Sequence, residues 1–139
     1  IADELNYVGV LAIEFFQHSS GLIANEIAPR VHNTGHWSIE GAYTSQFENH
    51  IRAVCGLQLG DPSPRGYSVM QNLIGIDINP EKFSAFPATH LHSYEKSTRS
   101  GRKVGHITTT HLSDQLVINE AIEISKILGE DFSFQGWSK

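Results

Sequence analysis

One charged residue, Glu14, stands inside the apolar run Tyr7 to Gln17. Its neighbours are aliphatic, β-branched and aromatic, which predicts a strand buried on both faces. An ionised carboxylate at such a place is too costly to keep unless a partner or a metal compensates it. His18-Ser19-Ser20-Gly21 has turn chemistry, and Leu22 to Arg30 alternates as a returning strand, so an antiparallel hairpin follows. With the turn centred on Ser20, Glu14 and Glu26 lie equally far to either side and pair. Directly opposed side chains share a face with Cβ atoms roughly 4.5–5.5 Å apart, and like charges there repel. Two such carboxylates suit magnesium beside a polyphosphate, because that ion takes one or two protein carboxylates and fills its octahedron with phosphate oxygens and water. A register one residue away would set Glu14 against Asn25 and turn Glu26 to the other side. The competing reading leaves one glutamate at the sheet edge, in solvent or paired with Arg30.

Pro29 closes the hairpin, and Arg30, His32, Asn33 and His36 then crowd into an irregular segment that ends at Trp37. Polar groups without a period on a loop beside a hairpin point to function. Arg30 keeps the parity of Glu26, so its planar fork can face the same ligand and suits a phosphate or bicarbonate oxygen. His32 and His36 have helical zinc spacing, but Gly35 and Pro29 argue against a helix, and no third ligand accompanies them. Structural hydrogen bonding is the alternative role for either imidazole.

Further along, Ser38 is predicted to cap one helix to Cys55, with Ile39, Tyr43, Phe47, Ile51, Val54 and Cys55 on one stripe and Gly56 as the stop. Gln58 to Tyr67 is rich in Gly and Pro and reads as a boundary. Strands are expected over Val69 to Ile74, Thr89 to Tyr94 and Lys103 to Thr110. Asn79-Pro80 and Pro87 bracket a short irregular or helical stretch. Ser113 caps a last helix to Leu128, stopped by Gly129. The chain is therefore α+β with mainly antiparallel strands. The expected division is residues 1–57, a unit of antiparallel strands with a packed helix, and residues 58–139, a small β-rich unit with a terminal helix.

The 139 residues carry a formal net charge of −5, which disfavours nucleic acid and anionic membranes as partners. Any anion site must be local, and the basic cluster Lys96, Arg99, Arg102 and Lys103 is the candidate, with a compact phosphate monoester as its ligand. A solvated turn is the bland alternative. The one cysteine, Cys55, cannot form an internal disulfide and is expected as a buried, reduced thiol, which suggests a cytoplasmic setting. No run approaches the ~20 apolar residues of a membrane span. The opening Ile1-Ala2-Asp3-Glu4-Leu5 has no initiator Met and reads as the last turn of a helix, as in a fragment of something longer. His90 and His92 share a strand face with His106 on the next strand, a possible three-histidine zinc set.

The run Asn25-Glu26-Ile27-Ala28-Pro29-Arg30-Val31-His32-Asn33-Thr34-Gly35-His36-Trp37 closely resembles the signature of 5-(carboxyamino)imidazole ribonucleotide synthases, members of the ATP-grasp superfamily. The likeness continues through Thr44-Ser45-Gln46-Phe47-Glu48, Asn72-Leu73-Ile74-Gly75 and Gly101-Arg102-Lys103-Val104-Gly105-His106. The resemblance implies that residues 1–57 are the C-terminal part of an ATP-grasp domain and 58–139 a small C-terminal domain. It implies ATP-dependent joining of bicarbonate to aminoimidazole ribonucleotide in purine biosynthesis, through carboxyphosphate, by a homodimer. Glu14 and Glu26 match the family's magnesium ligands, and Asn25-Glu26 its ATP-contacting pair. Arg30 matches the arginine near the transferred phosphoryl group, and His32, Asn33 and His36 lie near where the substrates meet. Lys96, Arg102 and Lys103 match the segment that holds the ribonucleotide phosphate. Ala28 departs from the superfamily, where Asn often stands two residues after the second metal-binding Glu, so Asn25 or water would complete the coordination. The substrate-binding domain and the lobe that covers the adenine should precede Ile1, so the chain alone is expected to be inactive. The helix from Ser38 to Cys55, or the aromatics Phe132, Phe134 and Trp137, are candidates for dimer contacts.

Two other classes compete. A zinc-dependent hydrolase would use His90, His92 and His106, and a non-catalytic anion-binding module would use the basic loop alone.

Overall fold

The structure, a computed structural model, describes residues 1–129; Phe132, Phe134 and Trp137 lie outside the described residues. It has an α+β architecture, with helices beside antiparallel sheets, and divides into two compact units, Ile1–Pro64 and Arg65–Lys139.

The first unit opens with a hydrogen-bonded turn, in which Leu5 N–H donates to Ile1 O at 3.0 Å, and continues into a two-stranded antiparallel ribbon. Its strands are β1, Ala12–His18, and β2, Gly21–Ala28, joined through Ser19-Ser20, with Gly21 at φ 129°. The expected strand beginning at Tyr7 starts five residues later, at Ala12. Nor is it buried on both faces: Phe15 is 51 % and Phe16 60 % exposed, because a ribbon of two strands has no second layer among the described residues. The segment before β1 is instead tied down by polar contacts. Tyr7 Oη donates to Val10 O at 3.0 Å, and Val10 N–H donates to His50 Nδ1 at 3.0 Å.

The single helix expected from Ser38 to Cys55 is two helices, α1 (Ser38–Gly41) and α2 (Gln46–Val54). The break has two causes. Ala42 is extended and bridges Pro64, while Tyr43 N–H donates to Ser63 O, so the chain between the helices pairs with a distant segment. Ser45 then caps α2: its Oγ accepts from Glu48 N–H at 3.2 Å, the arrangement that Ser-x-x-Glu favours. Ser38, expected as the cap, instead donates from Oγ to Gly35 O. At the far end Gly56 N–H bonds Ala53 O and Leu57 N–H bonds Arg52 O, a left-handed closure with Gly56 at φ 67°. Cys55 sits at this unwinding end and is exposed, so the expectation of a buried thiol fails where the helix stops.

In the second unit β5 (Lys103–His111) is the central strand between β3 (Tyr67–Ile74) and β4 (Thr89–Ser93), all antiparallel. A short 3-10 turn covers Pro80–Phe83, with the Asn79 side chain accepting from Glu81 N–H. Helix α3, Asp114–Leu128, is capped by Ser113 and ended by left-handed Gly129. Leu73, Phe83, Val104, Ile107 and Ile124 form the buried core that joins it to the sheet. Polar pairs lie beside that core. Gln71 Nε2 donates to Ser125 Oγ at 2.5 Å, and Glu120 on α3 accepts from Thr89 Oγ1 at 2.6 Å and lies 2.9 Å from His111 Nε2. No helix among the described residues is long and apolar enough to cross a membrane.

Candidate functional site

The ribbon's ladder carries one irregularity, and it sits at the acid pair. From the turn inward His18 pairs with Gly21, Gln17 with Leu22, Phe16 with Ile23 and Phe15 with Ala24. The next pair is Glu14 with Glu26, so Asn25 has no partner of its own and forms a β-bulge. Two residues of β2 thus oppose one residue of β1. The bulge restores the register in which the two glutamates face each other, although the two-residue turn by itself would have set Glu14 against Asn25.

The side chains converge accordingly. Asn25 Nδ2 donates to Glu14 Oε2 at 3.1 Å. His32, 7 % exposed, places Nε2 at 2.8 Å from Glu14 Oε1 and 3.8 Å from Glu26 Oε1. The imidazole's other nitrogen, Nδ1, accepts from Thr34 N–H at 3.4 Å and lies 2.9 Å from Thr34 Oγ1. A nitrogen that accepts from a backbone N–H carries no proton, so Nε2 is the protonated one and donates to the Glu14 carboxylate. Arg30 reaches the same place: Nη2 lies 4.0 Å from Glu26 Oε1, while Nη1 donates to Val31 O. Ligand atoms of Glu14, Glu26 and His32 lie within 4.8 Å of one another. Two carboxylates on one side of a ribbon make a pair of oxygen donors of the kind a hard divalent cation takes.

The loop after β2 is a 3-10 turn over Asn33–Gly35, in accord with the reading that His32 and His36 are not on a shared α-helix. Asn33 Oδ1 is buried with no hydrogen-bond partner among the described residues. His36 Nδ1 lies 2.8 Å from Gln46 Nε2, and its ring meets Phe47 at 5.1 Å between centroids. Gln46 and Thr34 belong to the quoted motifs, yet nothing in their spacing marks them as supports for the two imidazoles.

In the second unit Lys96, Arg99, Arg102 and Lys103 lie on and beside the loop between β4 and β5. Thr98 Oγ1 donates to Asp77 Oδ1 at 2.7 Å and Gly75 N–H donates to Arg102 O at 2.8 Å, which pins the loop to the end of β3. Gly75 has φ 68° and Arg99 O only 3.2 Å from where a Cβ would stand. Lys96 Nζ stands 5.2 Å from the Tyr94 ring centroid, and Arg102 Nη1 donates to Ser97 Oγ. The three histidines of the zinc alternative do not gather round a point. His92 stacks on His106 at 4.5 Å and 11°, His106 Nδ1 bonds Tyr94 Oη at 2.7 Å, and His90 pairs two positions along with Thr108. Burial pushes the Tyr94 phenol above its ordinary range. Among the described residues, the one group with metal-ligand spacing is Glu14, Glu26 and His32.

Residues 1–47 match the ATP-grasp domain family, and residues 68–120 match the phosphoribosylaminoimidazole carboxylase C-terminal domain. The acid pair on its ribbon lies inside the first match, so the class is that of ATP-grasp proteins. The chain belongs to the N5-carboxyaminoimidazole ribonucleotide synthase family, whose C-terminal portion it matches. The synthase of Vibrio cholerae is 54 % identical over 110 residues, which cover 79 % of this chain and 29 % of that protein. That of Haemophilus influenzae is 45 % identical over 132 residues, covering 95 % and 36 % respectively. The crystal structure of the Thermus thermophilus synthetase superposes with a TM-score of 0.84 at 49 % identity, covering 96 % of this chain and 37 % of that one. The Aspergillus clavatus synthase, in complex with ADP and 5-aminoimidazole ribonucleotide, gives 0.77 at 31 % identity, covering 88 % and 35 %. The chain thus spans about a third of the length of these relatives.

Proposed function

We propose that the full-length protein carrying this chain uses ATP to join bicarbonate to the exocyclic amine of aminoimidazole ribonucleotide, releasing ADP and phosphate, in purine biosynthesis. The observation that carries this reading is the convergence of Glu14 and Glu26 across the bulge, with Arg30 beside them. Phosphoryl transfer to a weak nucleophile needs charge neutralised and reactants held in line more than it needs a side-chain nucleophile. Glu14 and Glu26 would hold magnesium, which when bound neutralises charge on the transferring phosphoryl group. Asn25 and Glu26 would contact ATP. The Arg30 guanidinium is exposed enough to turn from Glu26 toward an anionic oxygen, and would stabilise the negative charge that develops there. His32, Asn33 and His36 would line the place where the substrates meet. The buried Oδ1 of Asn33 is suited to accept from an amine or a bicarbonate hydroxyl.

In this reading residues 1–57 are the C-terminal part of the ATP-grasp domain and 58–139 a small domain whose Lys96, Arg102 and Lys103 hold the ribonucleotide phosphate. The protein would act as a cytoplasmic homodimer. The test is ADP release by the full-length protein with bicarbonate and aminoimidazole ribonucleotide supplied together or singly. Release that needs both, and falls on Glu14→Gln with substrate binding kept, supports the reading; release indifferent to the ribonucleotide, or unchanged in the variant, ends it.

A further inference from the structure

Gln46 makes three side-chain hydrogen bonds, all to the loop that carries the proposed substrate-facing imidazoles. Its Oε1 accepts from His32 N–H at 3.0 Å, and its Nε2 donates to His32 C=O at 2.7 Å. Those two partners are backbone groups with fixed roles, so they settle which end of the amide is oxygen and which is nitrogen. The side chain pairs with the peptide groups of His32 much as a neighbouring strand would. Nε2 has a second hydrogen, and at 2.8 Å it meets His36 Nδ1. An amide nitrogen cannot accept a hydrogen bond. His36 Nδ1 must therefore be the acceptor, and the ring proton resides on Nε2.

Gln46 is itself held in place. It is the first residue of α2 after the Ser45 cap, and its N–H donates to Ser38 Oγ at 3.0 Å, which in turn donates to Gly35 O. A Cβ on Gly35 would stand 2.5 Å from Gln46 Oε1, so the glycine leaves the amide its room. On its other side the His36 ring is tilted 33° to that of Phe47.

We propose that Gln46 is a positioning residue that locks His36 as the neutral Nε2–H tautomer, so that His36 acts on an oxygen anion of the substrates as a hydrogen-bond donor and not as a base at Nδ1. This rests on the reading that His36 lies where bicarbonate and the phosphoryl group meet. The same amide fixes the peptide groups of His32, so one side chain holds the His36 ring and the backbone that carries His32.

The test is long-range 1H–15N NMR on the full-length protein labelled at histidine nitrogens, with His36 assigned by its loss in His36→Gln, alongside the kinetics of Gln46→Glu. The expected spectrum has His36 Nδ1 unprotonated and Nε2 protonated. Gln46→Glu keeps the acceptor for His32 N–H and removes both donated bonds, so a proton should move onto His36 Nδ1. Turnover should fall about 10–100-fold, the range seen when a group orienting a histidine is lost, with the KM for ATP within about twofold. A protonated Nδ1 in the unsubstituted protein overturns the proposal, and this measurement needs no variant to fold. So does a folded Gln46→Glu with unchanged kcat. If the unsubstituted protein releases no ADP in response to bicarbonate, the carboxylation reading fails separately, while the spectrum still decides whether Gln46 sets the tautomer.

Discussion

Glu26 stands opposite Glu14 because Asn25 is left out of the ladder between them. The bulge brings two like charges to one side of a ribbon, and His32 Nε2 stands 2.8 Å from Glu14 Oε1 and 3.8 Å from Glu26 Oε1. Opposed like charges cost stability, and here the Arg30 guanidinium beside Glu26 and the Asn25 amide on Glu14 offset part of that cost.

Replacing Glu14 by Gln in the full-length protein should lower ATP-dependent turnover on the order of 100-fold or more, the scale of losing one electrostatic stabiliser of a transition state. Binding of the ribonucleotide should change little, because the basic loop assigned to it belongs to the second unit. Steady-state kinetics with isothermal titration of the ribonucleotide would separate the two.

The isolated chain of 139 residues should show no bicarbonate-dependent ATPase activity, since it covers 29 % of the Vibrio cholerae relative. A coupled ADP assay on the purified chain checks this. Turnover above the no-enzyme rate would mean that Glu14, Glu26 and Arg30 suffice for nucleotide chemistry.

Ser45→Ala should destabilise the protein by about 0.5–2 kcal/mol, the usual cost of losing a hydroxyl cap, because Ser45 Oγ is the acceptor for Glu48 N–H at the start of α2. Gly35→Ala should cost about 1–3 kcal/mol by overpacking against Gln46. Urea denaturation of both variants gives the numbers. Gly35→Ala should also disturb His36 in the spectrum, whereas Ser38→Ala should do so only if the loss of its link to Gly35 lets the amide shift.

Tyr94 should titrate above the ordinary phenol value of 10.0, because burial disfavours the phenolate. A group whose value is raised on folding contributes stability that is complete below the unfolded value and lost as pH rises through the folded one. Stability should therefore fall more steeply above pH 10 in the unsubstituted protein than in Tyr94→Phe. Denaturant midpoints of the two proteins on either side of that pH would show it, and parallel curves would count against the assignment.

Much of this was legible from local signals. A carboxylate in an apolar run, turn residues after it and a second carboxylate at matching distance pointed to the facing pair, and Ser113 and Gly129 marked both ends of α3. What escaped depended on partners far along the chain. The stripe Ile39, Tyr43, Phe47, Ile51 continues at helical spacing across a place where Ala42 is held extended by Pro64, so periodicity alone ran through the break. Ser45-x-x-Glu48 was the local cue that could have located it. The bulge left no mark in composition: the expected pairing came out the same from a turn centred on Ser20 as from a tighter turn plus one extra residue, two different routes to one juxtaposition. Gln46 was invisible as a support, because an amide gains its role only from the loop folded over it.

The extra residue in β2 also makes the acid pair a matter of odd and even counting. Two residues added at the hairpin tip would lengthen both arms and leave Glu14 and Glu26 on one side, whereas one added residue would demand a second irregularity to bring them back. Variation in this hairpin should therefore arrive in even steps, and an odd step should be accompanied by a compensating change near Asn25.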